Sequence, residues 1–138
     1  MPTPEEFKQF NRQLIAEFRA NAGKVDDWDS LLLLTTIGAK SSVPHTTPLV
    51  YSTDGDRIFI IAATSGEPKH PAWYHNLLAN PEVNIELDGE SRRMRAVIAE
   101  GQEYERLFHL RADQIPETVA YQKMTTRRLP IVVLEQID

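Results

Sequence analysis

Residues 48–63 decide the fold, and they read Pro-Leu-Val-Tyr-Ser-Thr-Asp-Gly-Asp-Arg-Ile-Phe-Ile-Ile-Ala-Ala. Two strand-like runs, 48–53 and 57–63, flank Asp54 and Gly55. An Asp-Gly pair between two such runs is a strong signal for a two-residue β-hairpin, because these residues tolerate the positive φ angles of the tight turn. This stretch therefore predicts two adjacent antiparallel strands.

A second stretch repeats the pattern further along the chain. The runs at 83–87 and 92–100 flank Asp88 and Gly89. Parallel strands need a crossover connection of a dozen or more residues, and neither Asp-Gly turn leaves room for one. The sheet is therefore predicted to be antiparallel, either a barrel or strongly curled.

Helices are predicted between and beside these strands. Apolar spacing indicates further strands at 31–36 and 130–134 and helices at about 4–22, from Pro71 to Asn80, at 103–110 and at 117–126. The predicted fold class is mainly antiparallel β with flanking helices. The length of 138 residues suits a single domain, 1–138, which includes the amphipathic N-terminal helix at about 4–22.

Composition narrows the possible classes of protein. The formal net charge of -5 argues against general nucleic-acid binding, which requires a basic surface. The chain has no cysteine, which excludes disulfides, thiolate chemistry and cysteine-based metal sites. No apolar run is long enough to cross a bilayer and the first residues lack the apolar core of a signal peptide, so a cytoplasmic location is expected.

The N-terminal helix carries a single apolar stripe from Phe7 to Phe18. Such a stripe usually packs on the protein's own body or on a partner subunit. Weak docking on the inner face of the cell membrane is a third alternative, although a membrane-surface helix would carry more lysine and arginine on its polar face.

An anion-binding site is indicated at 66–78, which reads Gly-Glu-Pro-Lys-His-Pro-Ala-Trp-Tyr-His-Asn-Leu-Leu. Pro71 suits the first turn of a helix, and Lys69 stands just before it. Backbone N–H groups at a helix start favour a phosphate or carboxylate. The alternative interpretation is an ordinary helix start with a solvent-exposed Lys69.

A second segment with phosphate-binding chemistry is predicted at 35–49, as a loop between two strands. It combines Gly38, Lys40 and Ser41 with several threonines, so its donors are backbone N–H groups, hydroxyls and one ammonium. The spacing of a P-loop is absent and no helix follows. A lone Gly-x-Lys-Ser also occurs in ordinary turns, which leaves the structural interpretation open.

Other kinds of site find less support. His45, His70, His75 and His109 lack the spacing of metal ligands, so no metal site is predicted. No serine stands in a nucleophile elbow. Tyr121 is a candidate for proton transfer in a pocket, against the alternative that its ring packs in the core with the hydroxyl at the rim.

Taken together, these segments resemble a known family. Five motifs occur in the order and spacing of the deazaflavin-dependent nitroreductase family, proteins of the split β-barrel fold that bind coenzyme F420. They are Leu-Leu-Leu-Thr-Thr-x-Gly-x-Lys-Ser (32–41), Thr-Thr-Pro-Leu (46–49), Pro-Lys-His-Pro-Ala-Trp-Tyr-His-Asn-Leu (68–77), Ala-Asn-Pro-Glu-Val (79–83) and Tyr-Gln-x-x-Thr-Thr-Arg-x-x-Pro-Ile-Val-Val-Leu (121–134). The resemblance covers roughly residues 5–136.

The resemblance implies an anionic cofactor and the residues that hold it. Coenzyme F420 is an 8-hydroxy-5-deazaflavin with a phosphodiester and a γ-glutamyl tail. By resemblance, the cofactor-binding residues are Ala39, Lys40, Ser41, His45, Thr46, Thr47, Pro48, Leu49, Val50, Ala62, Ala63, Thr64, Ser65, Lys69, Trp73, Tyr74, His75 and Asn76. Tyr121 and Ser65 are the candidate catalytic residues.

Departures from the family pattern concern both cofactor and acceptor. The family usually carries Gly-Arg-Lys-Ser-Gly where this chain has Ala39 and Ser42 at the flanking positions, and often has arginine where His45 stands. The nitroimidazole-reducing member has tyrosines at the positions of Ile115 and Thr118. These differences imply weaker contacts to the cofactor tail and an altered acceptor pocket.

The function implied is hydride transfer from reduced coenzyme F420 to a small unsaturated acceptor such as a quinone, enone or nitro compound. Two alternatives stay open: a deazaflavin carrier without efficient turnover, and a split barrel that binds FMN. Split barrels commonly pair, so a homodimer is also expected.

Overall fold

The computed structural model describes residues 4–25, 30–62, 70–125 and 128–137, without the side chains of Pro4 and Phe7. The elements along the chain are α1 Pro4–Ala20, β1 Leu31–Ile37, β2 Pro44–Val50, β3 Ser52–Asp54, β4 Arg57–Ile61, α2 Ala72–Ala79, β5 Glu82–Leu87, β6 Glu90–Ile98, α3 Gly101–Gln114, α4 Glu117–Lys123 and β7 Ile131–Gln136.

The strands form one curled sheet in the order β2-β1-β5-β6-β7-β4-β3. Every neighbouring pair is antiparallel. The prediction of an antiparallel, strongly curled sheet with flanking helices is therefore confirmed, and it is the split-barrel type of sheet.

Both hairpins form, but the first turn is shifted by one residue. Asp54 pairs with Arg57, so the two residues of the turn are Gly55 and Asp56 rather than Asp54 and Gly55. Asp54 stays in the strand, where its carboxylate accepts a hydrogen bond of 2.5 Å from the Arg57 guanidinium. The second turn lies at Asp88-Gly89 as predicted, with φ angles of 53° and 77°.

The strand predicted at 48–53 is in fact two strands with different partners. β2 begins at Pro44 and pairs with β1 along its whole length, whereas β3 pairs with β4. The loop predicted at 35–49 is therefore much shorter, and His45 lies on a strand. β2 is an edge strand, which explains how it contains Pro48.

Smaller differences affect the ends of other elements. α3 runs over Gly101–Gln114 and is longer than the predicted 103–110, whereas α4 ends at Lys123, before the predicted end at Thr126, which lies outside the described residues. The last turns of these helices carry few apolar residues, so apolar spacing alone marks their ends poorly.

Three apolar clusters hold the helices against the sheet. Trp73 and Leu77 of α2 pack on one face, and Leu107 of α3 packs with Phe59 in a second cluster. In the third cluster Leu14 and Phe18 of α1 pack on Leu31 and Leu33 of β1. The C-terminal half of the α1 stripe is thus buried on the protein's own sheet.

A surface ion-pair network ties the β3–β4 hairpin to α3. Arg106 and Arg57 both donate to Asp54, and both also donate to Glu103. Arg106 first, and then Arg57, hold the pKa of Asp54 well below its usual range. A carboxylate with a lowered pKa in the folded state stabilises the fold above its ordinary pKa, and this contribution is lost as the pH falls below that value.

We expect Asp54→Asn to lower the melting temperature by about 3 °C at pH 7, because exposed networks contribute modestly. The difference from the wild type should shrink as the pH is lowered from 5 to 2. Thermal melts across this range measure it. Asp56→Asn is the matched control, since Asp56 lies in the same turn and forms no ion pair with the described residues. A constant difference at every pH would contradict the assignment.

Candidate functional site: two cavities along one strand

The larger cavity, which we name the loop cavity, has a volume of about 880 Å³ and opens between the 38–43 loop, β2, α2 and α1. Its walls are formed by Lys8, Asn11, Gly38, Ala39, Lys40, Ser41, His45, Thr46, Thr47, Ala72, Trp73, His75 and Asn76. This volume lies near the upper end of the usual range for sites that bind small molecules.

The floor of the loop cavity is held by a buried amide. Asn76 of α2 accepts a hydrogen bond from the Ala39 N–H (3.0 Å) and donates one to Thr36 Oγ1 (3.2 Å). Asn76 is 8% exposed. One side chain therefore fixes the 38–43 loop against both β1 and α2. The Ala39 N–H, which the sequence analysis names as a donor to a phosphate, donates to Asn76 instead.

The turn at Gly38 brings Ser41 and His45 together. Ser41 Oγ lies 3.3 Å from His45 Nε2, and a Cβ atom at position 38 would collide with that hydroxyl. Ser42 has φ of 59°, in the left-handed region that favours glycine. The glycine that the family usually carries at position 42 thus suits the backbone observed here.

The wall of the loop cavity is cationic although the protein as a whole is acidic. Among the described residues that form it are two lysines and two histidines and no carboxylate. Lys8 is partly compensated, because Glu5 lies 3.9 Å from its ammonium group. Lys40 has no carboxylate within ion-pair distance in the described part of the chain. The wall therefore suits an anion.

A second cavity of 320 Å³, which we name the helix cavity, opens beneath α3 and α4. Its walls are mostly apolar, with four polar residues; they are formed by Leu49, Val50, Ile61, Arg111, Ile115, Glu117, Thr118, Tyr121 and Leu129. The Thr118 hydroxyl donates to the Ile115 carbonyl (2.7 Å). This cavity suits a small ring compound with a few polar atoms.

Strand β2 connects the two cavities. Thr46 and Thr47 line the loop cavity, and Leu49 and Val50 line the helix cavity. Two residues along a strand span about 7 Å. A ligand in one cavity would therefore lie close to a ligand in the other.

The structure distributes the predicted cofactor-binding residues over several places. The loop cavity brings together Ala39, Lys40, Ser41, His45, Thr46, Thr47, Trp73, His75 and Asn76. Leu49, Val50 and the candidate catalytic Tyr121 line the helix cavity instead.

The remaining predicted residues line neither cavity or cannot be placed. Ala62 is fully buried in the core, and its N–H donates to the Pro130 carbonyl (2.8 Å). Pro48 pairs with Leu33 in the sheet, and Tyr74 packs against the core. Ala63, Thr64, Ser65 and Lys69 lie outside the described residues.

Sequence reasoning missed several residues of these walls, among them Lys8, Asn11 and Arg111. Lys8 and Asn11 come from α1, one helical turn apart, and line the loop cavity. Arg111 lies on the same face of α3 as Tyr104 and Leu107. A charged residue within an apolar helix stripe is a signal that could have identified Arg111.

No group of three or more potential metal ligands occurs among the described residues. In the same residues no helix is both long enough and apolar enough to cross a membrane.

A curled antiparallel sheet with flanking helices is the architecture of a split-barrel protein, and the cationic wall of its loop cavity suits an anionic ligand. The sequence model of one family, described as F420H(2)-dependent quinone reductase, matches residues 10–136. The chain belongs to the F420H(2)-dependent quinone reductase family. It is an oxidoreductase whose cofactor is coenzyme F420.

Individual relatives agree with this assignment. The chain is 42% identical over 106 residues to an F420H(2)-dependent quinone reductase of Mycobacterium tuberculosis (strain ATCC 25618 / H37Rv), covering 75% of this chain and 71% of that protein. A solved structure of an F420-H2 dependent reductase (FDR-A) is 32% identical, with a TM-score of 0.71 over 81% of this chain and 100% of that chain. A structure described as a domain-swapped dimer is 29% identical, with a TM-score of 0.74 over 96% and 100%.

Proposed function

We propose that this protein reduces quinones with reduced coenzyme F420 as the hydride donor. The observation that carries the proposal is the arrangement of two cavities along β2, one cationic and one apolar. The larger holds the cofactor, and the smaller holds the acceptor beside it. The names of the family and of its relatives support the choice of a quinone.

The donors of the loop cavity fit the cofactor. Lys40 and Ser41 would hold the phosphate or the γ-glutamyl tail, and Thr46 and Thr47 would lie along the cofactor. The absence of carboxylates from the described wall removes repulsion against these anionic groups. Asn76 acts as a positioning residue, since both ends of its amide are bonded to protein.

The reaction needs little chemistry from the protein itself. The bound cofactor supplies a hydride. The quinone gains that hydride and one proton to become a hydroquinone, while the cofactor is oxidised. The protein orients the acceptor in the helix cavity, and Tyr121 is the proposed proton donor at the rim of that cavity.

The acceptor pocket differs from that of the nitroimidazole-reducing member. Ile115 and Thr118 line the helix cavity at the positions of two of its tyrosines, and the Thr118 hydroxyl proton is already donated to a backbone carbonyl. We therefore propose that nitroimidazoles are poor acceptors compared with quinones.

A fluorescence titration with coenzyme F420, run beside FMN, tests the cofactor, and reduction of menadione by reduced F420 tests the reaction. We expect F420 to bind at least tenfold more tightly than FMN, with an affinity that falls as salt is added. Tight binding of F420 without turnover of any quinone would favour a carrier. A preference for FMN would favour the flavin-binding alternative.

Self-association and location stay proposals. The solved structure described as a domain-swapped dimer supports a homodimer for this chain. The apolar surface of α1 that could contact a membrane is smaller than the sequence suggests, because Leu14 and Phe18 are buried against β1. A cytoplasmic location stays a prediction.

A further inference from the structure

We propose that Arg111 binds an oxygen atom of the acceptor in the helix cavity, and that it makes this cavity selective for acceptors whose oxygen carries or develops negative charge. The proposal rests on the proposed function, because it names the acceptor chemistry of the same site. Arg111 would act as a catalytic residue through its guanidinium group.

The first observation is that Arg111 is buried yet incompletely paired. It is 7% exposed and lines the helix cavity. Its Nη1 donates to the Val50 carbonyl and to Ser52 Oγ, both at 3.1 Å. Its Nε is buried and has no hydrogen-bond partner among the described residues. Buried polar groups are nearly always paired, so the unpaired Nε leaves the guanidinium of Arg111, a residue of the cavity wall, with hydrogen-bonding capacity that the described residues do not satisfy.

The second observation is that no carboxylate among the described residues forms an ion pair with Arg111. Glu117 is the acidic residue on the described wall of the cavity, and it is exposed and forms no ion pair with Arg111. Burial alone lowers the pKa of Arg111 to about 10, so the group stays protonated at neutral pH. A buried cation without a counter-ion is costly and indicates a site for an anionic partner.

The chemistry of quinone reduction supplies such a partner. Hydride addition to a quinone leaves negative charge on one of its carbonyl oxygens until a proton arrives. A fixed guanidinium in an apolar cavity stabilises that charge more than it stabilises the neutral quinone. Arg111 should therefore lower the barrier to reduction more than it tightens binding of the neutral acceptor.

A purely structural role is the competing explanation, since Arg111 also ties α3 to β2 and β3. The anion of 2-hydroxy-1,4-naphthoquinone separates the two, because it carries its charge before reduction. We expect calorimetry on the wild type to show at least tenfold tighter binding of this anion than of its neutral 2-methoxy analogue. Equal binding of the two compounds overturns the proposal without any variant having to fold.

Substitutions then test whether Arg111 causes the tighter binding of the anion than of its neutral analogue. Arg111→Met should abolish this preference for the anion. Ser52→Ala removes one hydrogen bond to Arg111 but leaves its charge, so it should retain the preference within about threefold. Lys40→Ala should also retain it, which excludes binding in the loop cavity. Loss of the preference in Ser52→Ala to the same extent as in Arg111→Met would identify a structural role.

Kinetics with menadione provide a second readout. Arg111→Met should lower kcat by about a hundredfold and change KM by less than threefold, as expected for an interaction made mainly in the transition state. A rise in KM of about a hundredfold with kcat unchanged would overturn the catalytic role. The calorimetry needs no cofactor, so failure of F420 binding would contradict the proposed function and leave this test intact.

Discussion

Replacement of Asn76 by alanine is expected to loosen the loop cavity and to weaken cofactor binding by about tenfold. The side chain is buried and satisfies the Ala39 N–H and Thr36 Oγ1. Its removal leaves the buried Thr36 hydroxyl and the partly buried Ala39 N–H without these partners, which costs about 2 kcal/mol of stability. The 38–43 loop would lose its link to α2, and Lys40 and Ser41 would lose their fixed position. Thermal melts and F420 titrations measure the two effects.

Asn80→Ala is the matched control for this prediction. Asn80 follows the same helix and is exposed, and its side chain donates one long hydrogen bond of 3.5 Å to the Ile37 carbonyl. It should change stability and affinity little. A double-mutant cycle with Thr36→Val isolates the Asn76–Thr36 contact. Affinity unchanged in Asn76→Ala, despite a lower melting temperature, would show that loop order does not matter to the cofactor.

The fold could be predicted from the sequence because its strongest signals are local. The turn at Asp88-Gly89 needs positive φ angles, which these residues tolerate, and it places β5 beside β6. β1 is a continuous apolar run because four successive leucines are buried on both faces. Such features depend on neighbouring residues in the sequence, so they can be predicted without knowledge of the rest of the fold.

The limits of several elements could not be predicted because they depend on distant partners. β2 contains two prolines and few apolar residues, and only its pairing with β1 makes it a strand. The turn at Gly55-Asp56 is shifted because Asp54 is held by arginines from its own hairpin and from α3. Apolar periodicity contains no information on either contact.

The candidate site likewise contains some residues that could be predicted from the sequence and others that could not. Lys40, Ser41 and His45 stand close together in the sequence, and the loop cavity unites them as the motif implies. Lys8 and Arg111 reach their cavities through the packing of α1 and α3. The apolar stripe around Arg111 indicates burial, but it does not indicate a ligand, and the residues that flank Lys8 give no signal. Asn76 lines the loop cavity and its hydrogen bonds are to protein, so its contact with the cofactor stays a prediction.

The second large effect is expected for Lys40→Ala, which should weaken F420 binding by about tenfold and reduce its dependence on salt. Lys40 lines the loop cavity and has no carboxylate within ion-pair distance in the described residues, so its charge is available to an anion. Screening by salt weakens an exposed charge contact, and a variant without that charge should respond less to salt. Fluorescence titrations at low and high salt measure both quantities.

Lys24→Ala is the control of equal charge change, since Lys24 is exposed after α1 and does not line the loop cavity. Lys8→Ala should have a smaller effect than Lys40→Ala, because Glu5 already offsets part of the Lys8 charge. Titration with F420 lacking its glutamyl residues then separates two positions for Lys40. A loss that persists with the shortened cofactor places Lys40 at the phosphate, and a loss that disappears places it at the tail. Equal weakening by Lys24→Ala would mean that net charge, rather than the loop cavity, governs binding.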